Sequence, residues 1–208
     1  MTDLEPAEAE KEQTVFIVED DFAVSEALFD LLESAGVTAR HFASAEDFTE
    51  AWNPGMAGCL VLDVRLPGMS GMELQASLVE SGIEIPIILM TAHGDIPMVR
   101  KALKSGAVEF LTKPFQDEEL LQAVRQAFAL DRERRKKRNL AESIRTRVQS
   151  LSARERQVIE MVTAGLTNRE IAEKLFLSVV TVKLYRRLAM EKMGVDSLAD
   201  LVKMWEKQ

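Results

Sequence analysis

The sequence predicts an α/β half, built as a doubly wound five-stranded parallel sheet, followed by an all-α half of four helices. Three observations predict it. Short apolar runs alternate with helix-periodic segments five times between Thr14 and Phe128. From Ala153 onward, apolar residues recur only at helical spacing. The charge also changes sign: residues 1–128 hold 8 Lys+Arg against 23 Asp+Glu, residues 129–150 hold 8 against 3, and residues 151–208 hold 10 against 8.

The elements follow in order. Residues 1–13 are acidic, lack an apolar stretch and read as a disordered tail, not a signal peptide. The first half spans 14–128. Thr14 to Val18 is an apolar strand ending in acids. Val24, Ala27, Leu28, Leu31 and Leu32 share a helical face closed by Gly36. Val37 to Phe42 reads as a strand, and Ser44 to Asp47 resembles a capping box. Cys59 to Leu62 is a buried strand ending at Asp63, and a loop with the turn glycines Gly68 and Gly71 precedes a helix from about Met72 to Glu80. Ile85 to Met90 is the most apolar strand, Ile96 to Lys104 a helix, Val108 to Thr112 a strand, and a last helix starts near Asp117. Residues 129–150 contain neither Pro nor Gly, so they read as a helical linker in which Leu140, Ile144 and Val148 recur at helical spacing. Residues 151–208 form the second half, with helices over Ala153–Ala164, Asn168–Phe176, Ser178 to about Met193, and Leu198–Trp205.

Composition narrows the classes. A hydrophobic fraction of 47% allows a core in each half. No apolar run reaches the roughly 18 residues that a membrane span needs. One cysteine, Cys59, excludes an internal disulfide, and two histidines, His41 and His93, leave little for zinc. The whole suits a reducing cytoplasm with no membrane partner. An acidic front with a basic rear is compatible with a nucleic-acid partner for the second half, or with nothing more than a solvated charge run.

Chemistry gathers at the strand ends, where doubly wound sheets bind ligands. The first strand ends in Glu19, Asp20 and Asp21, the third in Asp63, the fourth in Thr91 and the fifth in Lys113. Such an acid set calls for a hard divalent cation, and Mg²⁺ fits. A carboxylate can also attack a phosphoryl group, whose oxygens then need donors and positive charge. Taken singly, Asp63 could be a helix cap, Phe110 a core residue and His93 a loop residue. Asp21 reads as a surface or helix-start acid.

The segments VFIVEDD, CLVLDVRLPGMSGMEL, IILMTAHGD and GAVEFLTKPF, in this order, resemble the receiver domains of two-component response regulators over about residues 14–128. The resemblance implies a flavodoxin-like sheet with Asp63 as phosphoacceptor. It implies Mg²⁺ held by Glu19, Asp20, Asp63 and the Arg65 backbone carbonyl, and Thr91 and Lys113 at the phosphoryl oxygens. It further implies Thr91 and Phe110 as switch residues, and a cis bond at Lys113–Pro114. Residues 151–202 resemble the LuxR-type helix-turn-helix, and the whole resembles FixJ-like regulators. That implies double-stranded DNA, a cognate histidine kinase and RNA polymerase as partners, with a homodimer formed on phosphorylation.

The third C-terminal helix places Val182, Tyr185, Ala189 and Met193 on one face, with Val180, Lys183, Leu184 and Arg187 opposite. Exposed apolar residues beside cations suit a DNA major groove, although a plain four-helix packing module has the same periodicity. The family's base-contacting positions correspond to Lys183, Leu184 and Arg187. Thr167, Asn168, Arg169, Ser178, Thr181 and Tyr185 are candidate DNA contacts, chiefly to phosphate. Arg186 reads equally as structural or phosphate-contacting. Tyr185 stands where the family usually has His, Leu188–Ala189 replaces a common Asn–Ile pair, and Arg100 charges the helix face that usually forms the activated dimer.

The expected function is a phosphorylation-dependent transcriptional regulator, not an enzyme. An aspartyl-phosphate phosphatase would want a second carboxylate two residues after Asp63, and that residue is Arg65. The alternative is a phosphorylation-independent DNA-binding protein with a non-signalling receiver.

Overall fold

The computed structural model describes residues 12–92, 94 and 96–206. His93 and most of the expected N-terminal tail lie outside them. Contacts divide the chain into two units at Arg134–Arg135, inside the expected linker.

In the first unit, strands β1 (Thr14–Val18), β2 (Ala39–Phe42), β3 (Gly58–Asp63), β4 (Ile87–Thr91) and β5 (Glu109–Thr112) form one parallel sheet in the order β2-β1-β3-β4-β5. Helices α1 (Phe22–Ser34), α2 (Ala45–Ala51), α3 (Gly71–Glu80), α4 (Ile96–Lys104) and α5 (Asp117–Gln149) connect and follow the strands. All six residues of β3 are buried, as expected of a central strand covered on both faces. Alternate strand residues separate two cores. Phe16, Leu60, Leu62 and Leu89 pack with Phe48, Leu74, Leu78 and Ala102 of α2, α3 and α4. Val15, Ile17, Val61 and Ile88 pack with Leu28, Leu32, Leu120 and Val124 of α1 and α5. Each such fully buried side chain contributes about 1.5–3 kcal/mol. Phe42 and Phe48 add an edge-to-face pair with centroids 5.4 Å apart. Cys59 is buried in the second core, and burial pushes its thiol pKa well up, so it is inert.

Two strands, β2 and β4, begin two residues later than the sequence suggests, and β5 begins one later. Val37 donates its amide to the Leu32 carbonyl at 2.9 Å, closing α1 instead of joining the sheet. Before β4, Pro86 has no amide to give the ladder, and only its carbonyl is used, by the Leu60 amide at 2.9 Å.

α5 runs through most of the expected linker as one helix. Within the first unit, Asp131 is buried and accepts from the Gly58 amide at 3.0 Å and from Gln13 Nε2 at 2.9 Å. Within the second unit, Ile144 and Val148 are buried in its core, while Leu140 is 52% exposed despite sharing their spacing.

The second unit adds α6 (Ala153–Thr163), α7 (Asn168–Leu175), α8 (Val179–Met193) and α9 (Leu198–Trp205). Ser152 with Glu155 and Thr167 with Glu170 form reciprocal capping boxes that start α6 and α7. Val158, Ile159, Ile171, Val182, Ala189, Met193 and Leu201 make the core. α7 ends at Phe176 in the left-handed conformation, and Ser178 starts α8 two residues later, which is a tight helix-turn-helix connection. Among the described residues, no helix is long and apolar enough to cross a membrane.

Candidate functional site

Parallel strands deliver their last residues to one edge of the sheet. Asp63 ends β3, and Thr91, one position beyond Met90, the register partner of Asp63, ends β4. Lys113 follows β5 and is tied to the edge by its backbone N–H, which donates to the Thr91 carbonyl at 2.8 Å. Glu19 follows β1, its amide donating to the Phe42 carbonyl at 3.2 Å. The Lys113–Pro114 bond is cis.

This placement joins three of the expected residues directly. Lys113 Nζ lies 2.6 Å from Glu19 Oε2 and 2.7 Å from Asp63 Oδ2. The Arg65 amide donates to Asp63 Oδ1 at 2.9 Å, and the Asp21 amide to Glu19 Oε1 at 3.3 Å. Glu19 is 2% exposed and Asp63 7%, so both carboxylates are held mostly out of water. Burial raises the Glu19 carboxyl pKa, and the hydrogen bond from Lys113 only partly opposes it. Burial also pulls the Lys113 ammonium down, but its bonds to Asp63 and Glu19, with their charges, outweigh burial and raise it. Two carboxylates share one ammonium, so the site is short of positive charge.

That deficit and the hard oxygen donors fit a divalent cation such as Mg²⁺. Among the described residues, however, no three His, Cys, Asp or Glu side chains are gathered closely enough to hold a metal. Asp20 is exposed, and Lys113 bridges the other two acids. Asp21 caps α1, accepting from the Ala23 and Val24 amides. Thr91 is wholly buried. Phe110, the other expected switch residue, is buried in the core at 9% exposure. His41 is a neighbour that the sequence does not signal: its Nε2 lies 2.8 Å from the Glu19 carbonyl oxygen. Arg100 is exposed on α4.

The second unit presents the expected DNA-binding residues on and beside α8. Val182, Ala189 and Met193 are buried, and Tyr185 packs against the core. Lys183, Leu184 and Arg187 are exposed, with Val180 at 77%. Arg187 also pairs with Glu191 one turn along, at 3.6 Å. Arg169 is exposed at the start of α7. The hydroxyls are engaged in caps: Thr167 Oγ1 is 2.7 Å from Glu170 Oε2, and Ser178 Oγ is 2.8 Å from Thr181 Oγ1. Half-buried Arg186 lines a cleft of about 460 Å³ with Asn168, Lys183 and Arg187, and the buried Asn168 Oδ1 there has no hydrogen-bond partner.

Comparison with known proteins agrees with both halves. Residues 15–125 match the response regulator receiver domain, and residues 149–205 match the bacterial regulatory proteins of the luxR family. Nodulation protein W of Bradyrhizobium diazoefficiens is 45% identical over 199 residues, covering 96% of this chain and 88% of that protein. The transcriptional regulatory protein FixJ of Azorhizobium caulinodans is 42% identical, covering 91% of this chain and 90% of its own length. The solved structure of the response regulator StyR superposes with a TM-score of 0.88 at 47% identity, covering 95% of this chain and 100% of that one. The chain therefore belongs to the response regulators, a family of transcriptional regulators and not of catalytic enzymes, with a receiver domain followed by a LuxR-type DNA-binding domain.

Proposed function

We propose that Asp63 accepts a phosphoryl group from the phosphohistidine of a cognate histidine kinase, and that this controls DNA binding through α8. The observation that carries the reading is the pair of bonds from Lys113 to Asp63 and Glu19 at the end of the sheet. Asp63 Oδ2 attacks phosphorus, a new O–P bond forms, and the P–N bond to the kinase imidazole breaks. The Lys113 ammonium, already beside that oxygen, then pairs with a phosphoryl oxygen, and the Thr91 hydroxyl donates to another. Glu19, Asp20, Asp63 and the Arg65 carbonyl would hold Mg²⁺, which when bound offsets the charge on the phosphoryl oxygens.

The added group brings roughly −2 charge to a site already crowded with carboxylates. The bonds that now hold Lys113 must rearrange, and Thr91 and Phe110 respond next to them. A switch from 1:99 to 99:1 requires about 5.5 kcal/mol of differential stabilisation. The outcome is a homodimer whose two α8 helices enter successive major grooves. There Lys183 and Arg187 donate to guanine edges, and Val180 and Leu184 meet thymine methyls. Thr167, Asn168, Arg169, Ser178, Thr181 and Tyr185 set the register on the phosphates, and RNA polymerase reads the result.

The test uses a duplex selected from a random library by the protein treated with beryllium fluoride and Mg²⁺. Beryllium fluoride should tighten binding and produce a dimer by light scattering in the wild type, and do neither in Asp63→Asn. Binding that is equally tight with and without it would favour a DNA-binding protein with a non-signalling receiver.

A further inference from the structure

The C-terminal unit, residues 135–208, holds 16 Lys+Arg against 9 Asp+Glu, a net charge of +7. Residues 135–149, the end of α5, hold 6 of these cations against one acid, Glu142. Most of the unit's net positive charge thus lies on a helical segment outside the helix-turn-helix. One side of that segment is committed to the core through Ile144 and Val148. Beside that face, about 80–160° around the helix from it and at spacings of three and seven, stand Arg135, Arg138 and Arg145, the last two exposed, with the acid Glu142 among them. At 1.5 Å per residue this stripe runs about 15 Å.

Two bonds locate the segment. Arg147 Nη1 donates to the Met193 carbonyl at 2.9 Å, and Lys192 Nζ to the Ser150 carbonyl at 3.3 Å. Both tie the end of α5 to the C-terminal end of α8. The basic segment is thus fastened, within the same unit, to the helix that carries the candidate base contacts.

We infer that the Arg135–Arg138–Arg145 stripe is a second DNA-contacting surface, gripping phosphates that flank the stretch met by α8. This rests on the reading that α8 enters DNA. Guanidinium groups pair with phosphate oxygens through two parallel hydrogen bonds, and such contacts add affinity and salt dependence without sequence preference. The occupant is duplex DNA because the stripe belongs to the same unit as the DNA-binding helices.

The test measures affinity of the full chain for a random-sequence duplex from about 50 to 200 mM salt. Removing two phosphate contacts with R138Q/R145Q lowers the log–log salt slope by about 2, so the variant loses about tenfold less affinity than wild type across that range. R154Q/R156Q removes equal charge from α6 and leaves the slope at the wild-type value, and thermal melting shows that each variant is folded. An unchanged slope in R138Q/R145Q, or an equal drop in R154Q/R156Q, would overturn the assignment. So would loss of binding to phosphatidylserine vesicles with an unchanged DNA slope, which would make the stripe a membrane surface. K183Q/R187Q tests α8 separately: full affinity there beside a weakened R138Q/R145Q would remove the α8 reading and leave the stripe.

Discussion

Lys113 Nζ stands 2.7 Å from Asp63 Oδ2 while also bonding Glu19 Oε2, so two nearly buried carboxylates share one ammonium. Lys113→Ala leaves those acids facing each other without a counter-charge. It should destabilise the receiver by about 2 kcal/mol, less than a fully buried pair would, because the lysine keeps some solvent contact. Asp63→Asn in the same background should recover much of that loss. Urea unfolding of the two single variants and the double variant measures the coupling.

Asp131 predicts a different kind of loss. Its carboxylate accepts the buried Gly58 amide at 3.0 Å, at a residue whose φ of +134° and closeness to the Thr14 backbone leave no room for a Cβ. Asp131→Ala strands that amide and should cost about 1–3 kcal/mol, whereas Asp131→Asn keeps an acceptor and should cost less. Equilibrium unfolding gives the cost, and faster hydrogen exchange at Gly58 in the Ala variant alone identifies the cause.

The same residue shows where sequence reading stops. The strand–helix alternation was legible because apolar period and turn residues are local signals. Glu19, Asp63, Thr91 and Lys113 were legible as a group because parallel strands bring their ends to one edge. Asp131 sits in the charged run DRERRKKR and looks solvated, yet it is buried by a partner 73 positions away. Gln75 is a similar case: its amide donates to the Ala102 carbonyl at 3.1 Å from inside the core. Leu140 errs the other way, sharing the period of Ile144 and Val148 but standing exposed. Period describes a face, and only the tertiary partner decides whether the face is covered.

Glu155 gives the DNA-binding unit an acid-sensitive contact. Its carboxylate is 4% exposed, caps α6 through the Ser152 amide at 2.7 Å, and pairs with Lys192 at 2.7 Å. Burial pushes its pKa up, but the bonds from Lys192 and Ser152 outweigh burial and hold it below 4.5. A carboxylate depressed in the folded state contributes stability above its unfolded value, and that contribution is lost as pH falls through the folded value. Wild type should therefore lose stability below pH 4.5 faster than Glu155→Gln, with the difference between them narrowing. Thermal melting of both proteins on a pH series checks the sign.

The most direct measurement is the intact mass of the protein after incubation with acetyl phosphate and Mg²⁺, for wild type and Asp63→Asn. Wild type should gain the mass of one phosphoryl group and Asp63→Asn none. A phosphoryl gain in Asp63→Asn, or none in a folded wild type, would contradict the assignment of Asp63 as the acceptor.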